Sequence, residues 1–190
     1  MGDLILAGKT ITADVTFVID VESVIQFFTN HKDLAVSMDP KKPTIINSGV
    51  YIATYTPKSG LTVNRSSDDT LTVPVNSNIR WRATTVSNNF DYSIILYKFQ
   101  KLSFGPDIIS IPSQIWSQRP GNKEVPIIPS GVNANEEAPK LDFINIHDSY
   151  FHAIANSPGS EQYTWCFAAY DGRDLLGYFQ YDPCIIVTNN

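Results

Sequence analysis

The sequence predicts an all-β protein, an antiparallel β-sandwich or jelly roll with one short helix after its first strand. Three observations predict it. Apolar residues recur with period two through most of the chain, the spacing of strands. One segment alone shows the helical spacing i, i+3, i+4, i+7. Turn formers punctuate the apolar runs, and the 12 prolines bar long helices.

In chain order, Val15, Phe17 and Ile19 fall on one face of a strand at 14–20, opposite Asp14, Thr16 and Asp20. Val21, Val24, Ile25 and Phe28 then form one helical face, with Asp20 suited to cap its start and Asn30 to end it in the left-handed conformation. A loop at 37–48 contains Asp39-Pro40 and Pro43. Strands follow at 50–56 and 71–75. Pro74 cannot donate to a ladder, so the latter belongs at a sheet edge. In 79–85, Ile79, Trp81 and Ala83 face one way, and Arg80, Arg82 and Thr84 the other. In 92–99, Tyr92, Ile94 and Leu96 share one face, and Ile95, Tyr97 and Phe99 the other. Both faces are apolar, so both need cover. Either the Pro-rich 105–140 stretch supplies it, or a second subunit does. That stretch reads as an insertion or long loop within a single domain spanning 1–190. Tyr163, Trp165, Phe167 and Ala169 then share a face, and strands at 177–181 and 184–188 close the chain.

Composition limits the function. Hydrophobic residues make up 43% of the 190 and charged residues 17%, below the ~25% of an average soluble domain. That balance excludes wholesale disorder. A net charge of −5 argues against a nucleic-acid binder. Arg80 and Arg82 share a strand face, but Trp81 points away from them, so no groove pairs cations with stacking rings. The first ten residues lack a signal peptide's basic flank, and no run approaches the ~20 apolar residues that span a bilayer. The expectation is a soluble cytoplasmic protein with Cys166 and Cys184 reduced, and with neither membrane nor nucleic acid as partner.

Motifs for chemistry are missing. There is no G-x-S-x-G, no P-loop, no G-x-G-x-x-G and no H-E-x-x-H. The three histidines are His31, His147 and His152. His147 and Asp148 would point to opposite faces of a strand, so they make no triad with Ser149 there. Cys166, between Trp165 and Phe167, has no base nearby in sequence to activate it. No zinc spacing exists. Calcium is the one cation left open, because Asn88, Asn89 and Asp91, or Asp171, Asp174 and Asp182, offer oxygens. Turn formation accounts for the same residues. The expected catalytic residues, metal site and cofactor are therefore none. Among the 22 aromatic residues, Tyr181 could stack on a sugar while Asp182, Asn88, Asn89 and Asp91 bond its hydroxyls. These five form the candidate ligand set. Ile95, Tyr97 and Phe99 form the candidate oligomer contact.

Three stretches resemble a known family. They are VTFVIDVESVI (15–25), NIRWRATTVSNNFDYSIILYKFQ (78–100) and YTWCFAAYDGRDLLGYFQYDPCIIVTN (163–189). In order along the chain, they look like the opening strand and helix, the I-R-W-R strand with its Y-K-F partner, and the closing hairpin of the AidA/PixA-type bacterial inclusion body proteins. The chain departs from that pattern in its extended middle, 105–139, and at Cys166 and Cys184. The resemblance implies an abundant bacterial cytoplasmic protein without enzymatic activity. It would self-associate as a homo-oligomer, foremost a dimer, and be tied to cell-density or stationary-phase control. LTVPVNSNIRW (71–81) with SIILYKF (93–99) is more faintly similar to galactose-binding bacterial lectins, whose calcium loop is not matched at 171–183. That likeness implies carbohydrate binding as the alternative. A hydrolase comes third, and would need His147 or His152 to meet an acid or nucleophile across the fold.

Overall fold

In the computed structural model, which describes residues 11–56, 60–65, 69–102, 104–118, 125–131, 141–145 and 147–189, strands dominate. They are β1 (Thr12–Ile19), β2 (Thr44–Ile45), β3 (Val50–Thr56), β4 (Gly60–Arg65), β5 (Thr70–Pro74), β6 (Asn78–Thr85) and β7 (Tyr92–Lys101), followed by β8 (Ser113–Gln118), β9 (Val125–Ile127), β10 (Asp142–Ile144), β11 (His147–Ile154), β12 (Gly159–Asp171), β13 (Asp174–Tyr181) and β14 (Cys184–Thr188). The helix α1 (Val21–Asn30) follows β1, as its spacing predicts. The chain divides into two compact units, Met1–Ser113 with Phe151–Asn190, and Gln114–Tyr150. In the smaller unit β9 pairs antiparallel with β10.

The larger unit contains two sheets. One runs β4-β3-β1-β6-β11, the other β2-β13-β12-β14-β5 with β7 also on β12. The all-β sandwich is as the sequence predicts, and only its wholly antiparallel pairing is corrected: β1–β6, β13–β2 and β14–β5 are parallel. No hairpin joins these pairs, and long intervening crossovers permit parallel pairing. Pro74 stands in an edge strand, β5, as its missing donor requires.

Alternation turns Val15, Phe17, Ile19, Ile79 and Trp81 of the first sheet, and Tyr163, Trp165, Phe167, Phe179 and Ile185 of the second, into a buried core. Trp165 is its hub, with ring centroids 5.5 Å from Trp81, 5.3 Å from Phe99 and 5.0 Å from Phe151. Val21 and Val24 of α1 are buried, and Phe28 lies 6.1 Å from Phe179. Asp20 caps the helix, accepting from Ser23 N at 3.0 Å and Ser23 Oγ at 2.7 Å. Asp20→Ala is expected to cost about 1 kcal/mol, read as a lower midpoint in thermal unfolding. The expected left-handed end at Asn30 is corrected. The left-handed non-glycine residues among those described are Asn76, Asn88 and Asn89. The helix stops instead where His31 donates its N–H to Phe27 O at 3.1 Å.

Strand β7 departs from simple alternation. A bulge opposite Cys166/Phe167 lets Lys98 pair with Cys166 and Leu96 with Phe167, leaving Tyr97 extra. The extra residue resets the pleat. Phe99 therefore joins the core face and packs 5.4 Å from Tyr163, not the outer face that strict alternation assigns it. The outer side of β12 is nonetheless covered, since Cys166 and Ala168 are buried. Among the described residues, the cover includes the 37–44 segment. Tyr178 N donates to Ser37 O at 2.8 Å, Ser37 N to Thr44 Oγ1 at 2.8 Å, and Tyr97 Oη to Pro40 O at 2.9 Å.

Candidate functional site

The β6–β7 turn is built by its side chains. Asn88 and Asn89 adopt φ of 55° and 61°, which asparagine tolerates better than most residues. Thr85 N donates to Asn89 Oδ1 at 3.1 Å, Asn89 N donates to Thr85 Oγ1 at 2.8 Å, and Thr84 Oγ1 donates to Asn88 Oδ1 at 3.3 Å. Both asparagine side-chain oxygens are thus engaged within the turn. Asp91 N donates to Ser87 Oγ at 3.3 Å, and the residue lines a cleft of about 410 Å³. The start of α1 (Val21, Glu22), the turn (Thr85, Ser87), Tyr92 and Asp171 line the rest.

The remaining candidates lie elsewhere. Asp171 pairs with Tyr92 at one end of the β7–β12 ladder, whereas Tyr181 pairs with Trp165 six residues back along β12. That is about 20 Å of strand. Tyr181 is 5% exposed and donates to Asp69 Oδ2. Asp182 accepts from Thr164 Oγ1 at 2.6 Å. The structure therefore brings Asn88, Asn89 and Asp91 together, and sets Tyr181 and Asp182 apart from them. Of the proposed oligomer contacts, Ile95 is 48% exposed. Tyr97 holds the 37–44 segment and Phe99 turns inward. Burial pushes the Tyr97 phenol up to about 12, with Cys166 and Tyr178 adding to the shift.

His31 and His152 make contacts within the fold. His31 stacks on Phe27 at 4.3 Å, and its Nδ1 lies 2.8 Å from Phe27 O. His152 Nε2 lies 3.1 Å from Asn78 Oδ1. The side chains of His147 and Asp148 fall outside the described residues. Burial pushes the Cys166 thiol up, with Lys98 and Tyr97 acting in the opposite direction. Among the described residues no group of three or more His, Cys, Asp or Glu could hold a metal. No described helix is long and apolar enough to cross a membrane.

Sequence reasoning missed two charged clusters, because each joins residues distant in the chain. On the outer face of the first sheet, Asp14 binds Arg80 at 2.5 Å and Arg82 at 3.1 Å. At the end of β7, Lys101 Nζ donates to Gly105 O and Pro106 O at 2.9 Å and to Asp107 Oδ1 at 3.0 Å. It also stands 3.6 Å from Glu161, which is 3% exposed. The bond to Asp107 raises the Lys101 pKa, burial opposes it, and Glu161 adds to the rise. The lysine fastens the 105–107 turn and neutralises a buried carboxylate.

The profile of one family, PixA, inclusion body protein, matches residues 11–187. Among solved structures, the chain is similar to the crystal structure of an inclusion body protein (PixA) from Burkholderia cenocepacia J2315. The two share 17% identity and a TM-score of 0.66 over 96% of this chain and 99% of that chain. At that identity the likeness establishes the fold. No curated protein matches significantly.

Proposed function

This chain belongs to the PixA inclusion body protein family, and on that premise we propose that it is a non-enzymatic bacterial protein that associates with copies of itself into dense cytoplasmic bodies under cell-density or stationary-phase control. The observation that carries the reading is the family match, which covers residues 11–187. Physical chemistry supports it. With 17% charged residues, below the ~25% of an average soluble domain, the chain has few charges to desolvate when it packs against itself. Large apolar side chains stand in solvent, among them Phe90, Ile95, Phe104 and Ile111. The histidines described above bond to the fold itself, and Cys166 is buried.

Expression of the full chain at graded levels in bacteria tests the proposal. Refractile bodies that grow with expression and dissolve into native homo-oligomers are the expected result. A protein that stays dispersed and monomeric at the highest level overturns it. A second reading, carbohydrate binding, draws on the polar cleft beside Ser87, Asp91 and Tyr92. A glycan array probed with and without calcium decides it, and a blank array at both conditions removes it.

A further inference from the structure

Strand β7 has ten residues, and β12 pairs with it from Tyr92↔Asp171 to Lys101↔Tyr163. No other described strand pairs with it. Ladder groups alternate between the two edges of a strand. On the second edge, therefore, a row of N–H and C=O groups has no described backbone partner. Proteins guard such edges with short strands, prolines, charges or bulges. Here β2 has two residues and β5 ends in Pro74. The second half of β7 is guarded by Lys98, Lys101 and the bulge at Tyr97. Its first half, Tyr92 through Leu96, carries no charge, proline or glycine. Beside it Ile95 is 48% exposed, Val86 59% and Phe90 91%.

We infer that this edge docks a second copy of the chain. Residues 92–96 of the two copies pair antiparallel about a two-fold axis that passes midway between their Ile94 residues. The inference rests on the self-association reading and assigns its contact. The register follows from the pleat and the charges. Residues opposite one another must share a face, so the axis lies between two copies of one residue and not level with the bond joining two neighbours. Centred on Ile94, Tyr92 faces Leu96 of the other copy and Ser93 faces Ile95. Asp91 then meets the widened Tyr97/Lys98 step, because a bulge sets two residues against one. The two-fold repeats the acid–base contact, so each copy supplies one carboxylate and one ammonium. Asp91 is exposed and Lys98 partly so. This charge complementarity singles out a second copy as the occupant.

Sedimentation equilibrium of the full chain tests it, with circular dichroism checking that each variant is folded. The wild type is expected to dimerise. Asp91→Lys and Lys98→Asp should each weaken the dimer by about tenfold or more, since each sets like charges together at both ends of the ladder. The double variant, Asp91→Lys with Lys98→Asp, should return most of that loss. Ile95→Lys should leave a monomer. A dimer indifferent to both single reversals overturns the β7 contact and leaves self-association standing. A wild type that is monomeric at every concentration overturns both.

Discussion

Trp165→Ala is expected to lower the unfolding free energy by about 3–5 kcal/mol, the range for deleting a large buried aromatic. The side chain is 1% exposed and meets Trp81, Phe99 and Phe151 within 5.5 Å between ring centroids. Those three rings come from β6, β7 and β11, so one deletion loosens three strands from β12. Its indole N–H, however, has no hydrogen-bond partner among the described residues. A buried unpaired donor is itself a cost. Trp165→Phe removes that donor while keeping a ring in place, and should cost less than about 1.5 kcal/mol. Urea titration checks both. The alanine variant should shift the midpoint downward with its slope unchanged. Equal losses for Phe and Ala would show that the indole gains something from its nitrogen that the fold does not reveal.

The hub also marks what the sequence could and could not disclose. Alternation in 79–85 and 163–169 was enough to aim Trp81, Tyr163 and Trp165 inward, because a pleat has no other choice. Asp20 announced the helix start through local chemistry, since its partner is only three residues away. Parallel pairing of β1 with β6 had no local signal, as Asp14 and Arg80 are 66 residues apart. The bulge at Tyr97 was equally silent. One extra residue moved Phe99 from the outer face to the core, and no pattern within 92–99 records it. In the candidate ligand set, the turn chemistry of Asn88 and Asn89 was legible in their type. Whether Tyr181 and Asp182 joined them depended on six residues of strand between two ladder positions. Side-chain type carries no such distance. The cover over Cys166 shows the same limit: nothing in 37–44 signals that it meets Tyr97, whose hydroxyl donates to Pro40 O, 57 residues away in the chain.

That cover can be released from a distance. A Cβ added at Gly177 would lie 2.1 Å from Val36 Cγ1 and 3.4 Å from two ring carbons of Phe179. Phe179 is buried, so the flexible side of the contact is Val36. Ser37, the next residue, is held by Tyr178 N at 2.8 Å, and the segment beyond it reaches Tyr97. Gly177→Ala is therefore expected to cost about 2–3 kcal/mol by overpacking, and to lift 37–44 off the sheet. Cys166 reports the second effect. It is 1% exposed and its pKa is raised by burial, so at neutral pH the wild-type thiol should react slowly with an aromatic disulfide reagent. In a Cys184→Ser background, Gly177→Ala should speed that reaction by roughly tenfold or more, as a local opening of about 1.4 kcal/mol or greater would. Val36→Ala removes the clashing methyl. The double variant should recover most of the loss, because contacting residues couple. A remainder of about 1 kcal/mol belongs to the φ of +156° at Gly177, which a side chain resists whatever the space around it. Strictly additive losses in the two single variants, with Cys166 no more reactive than before, would mean that Val36 does not anchor the cover and that the bonds from Tyr97 and Tyr178 hold it without that side chain.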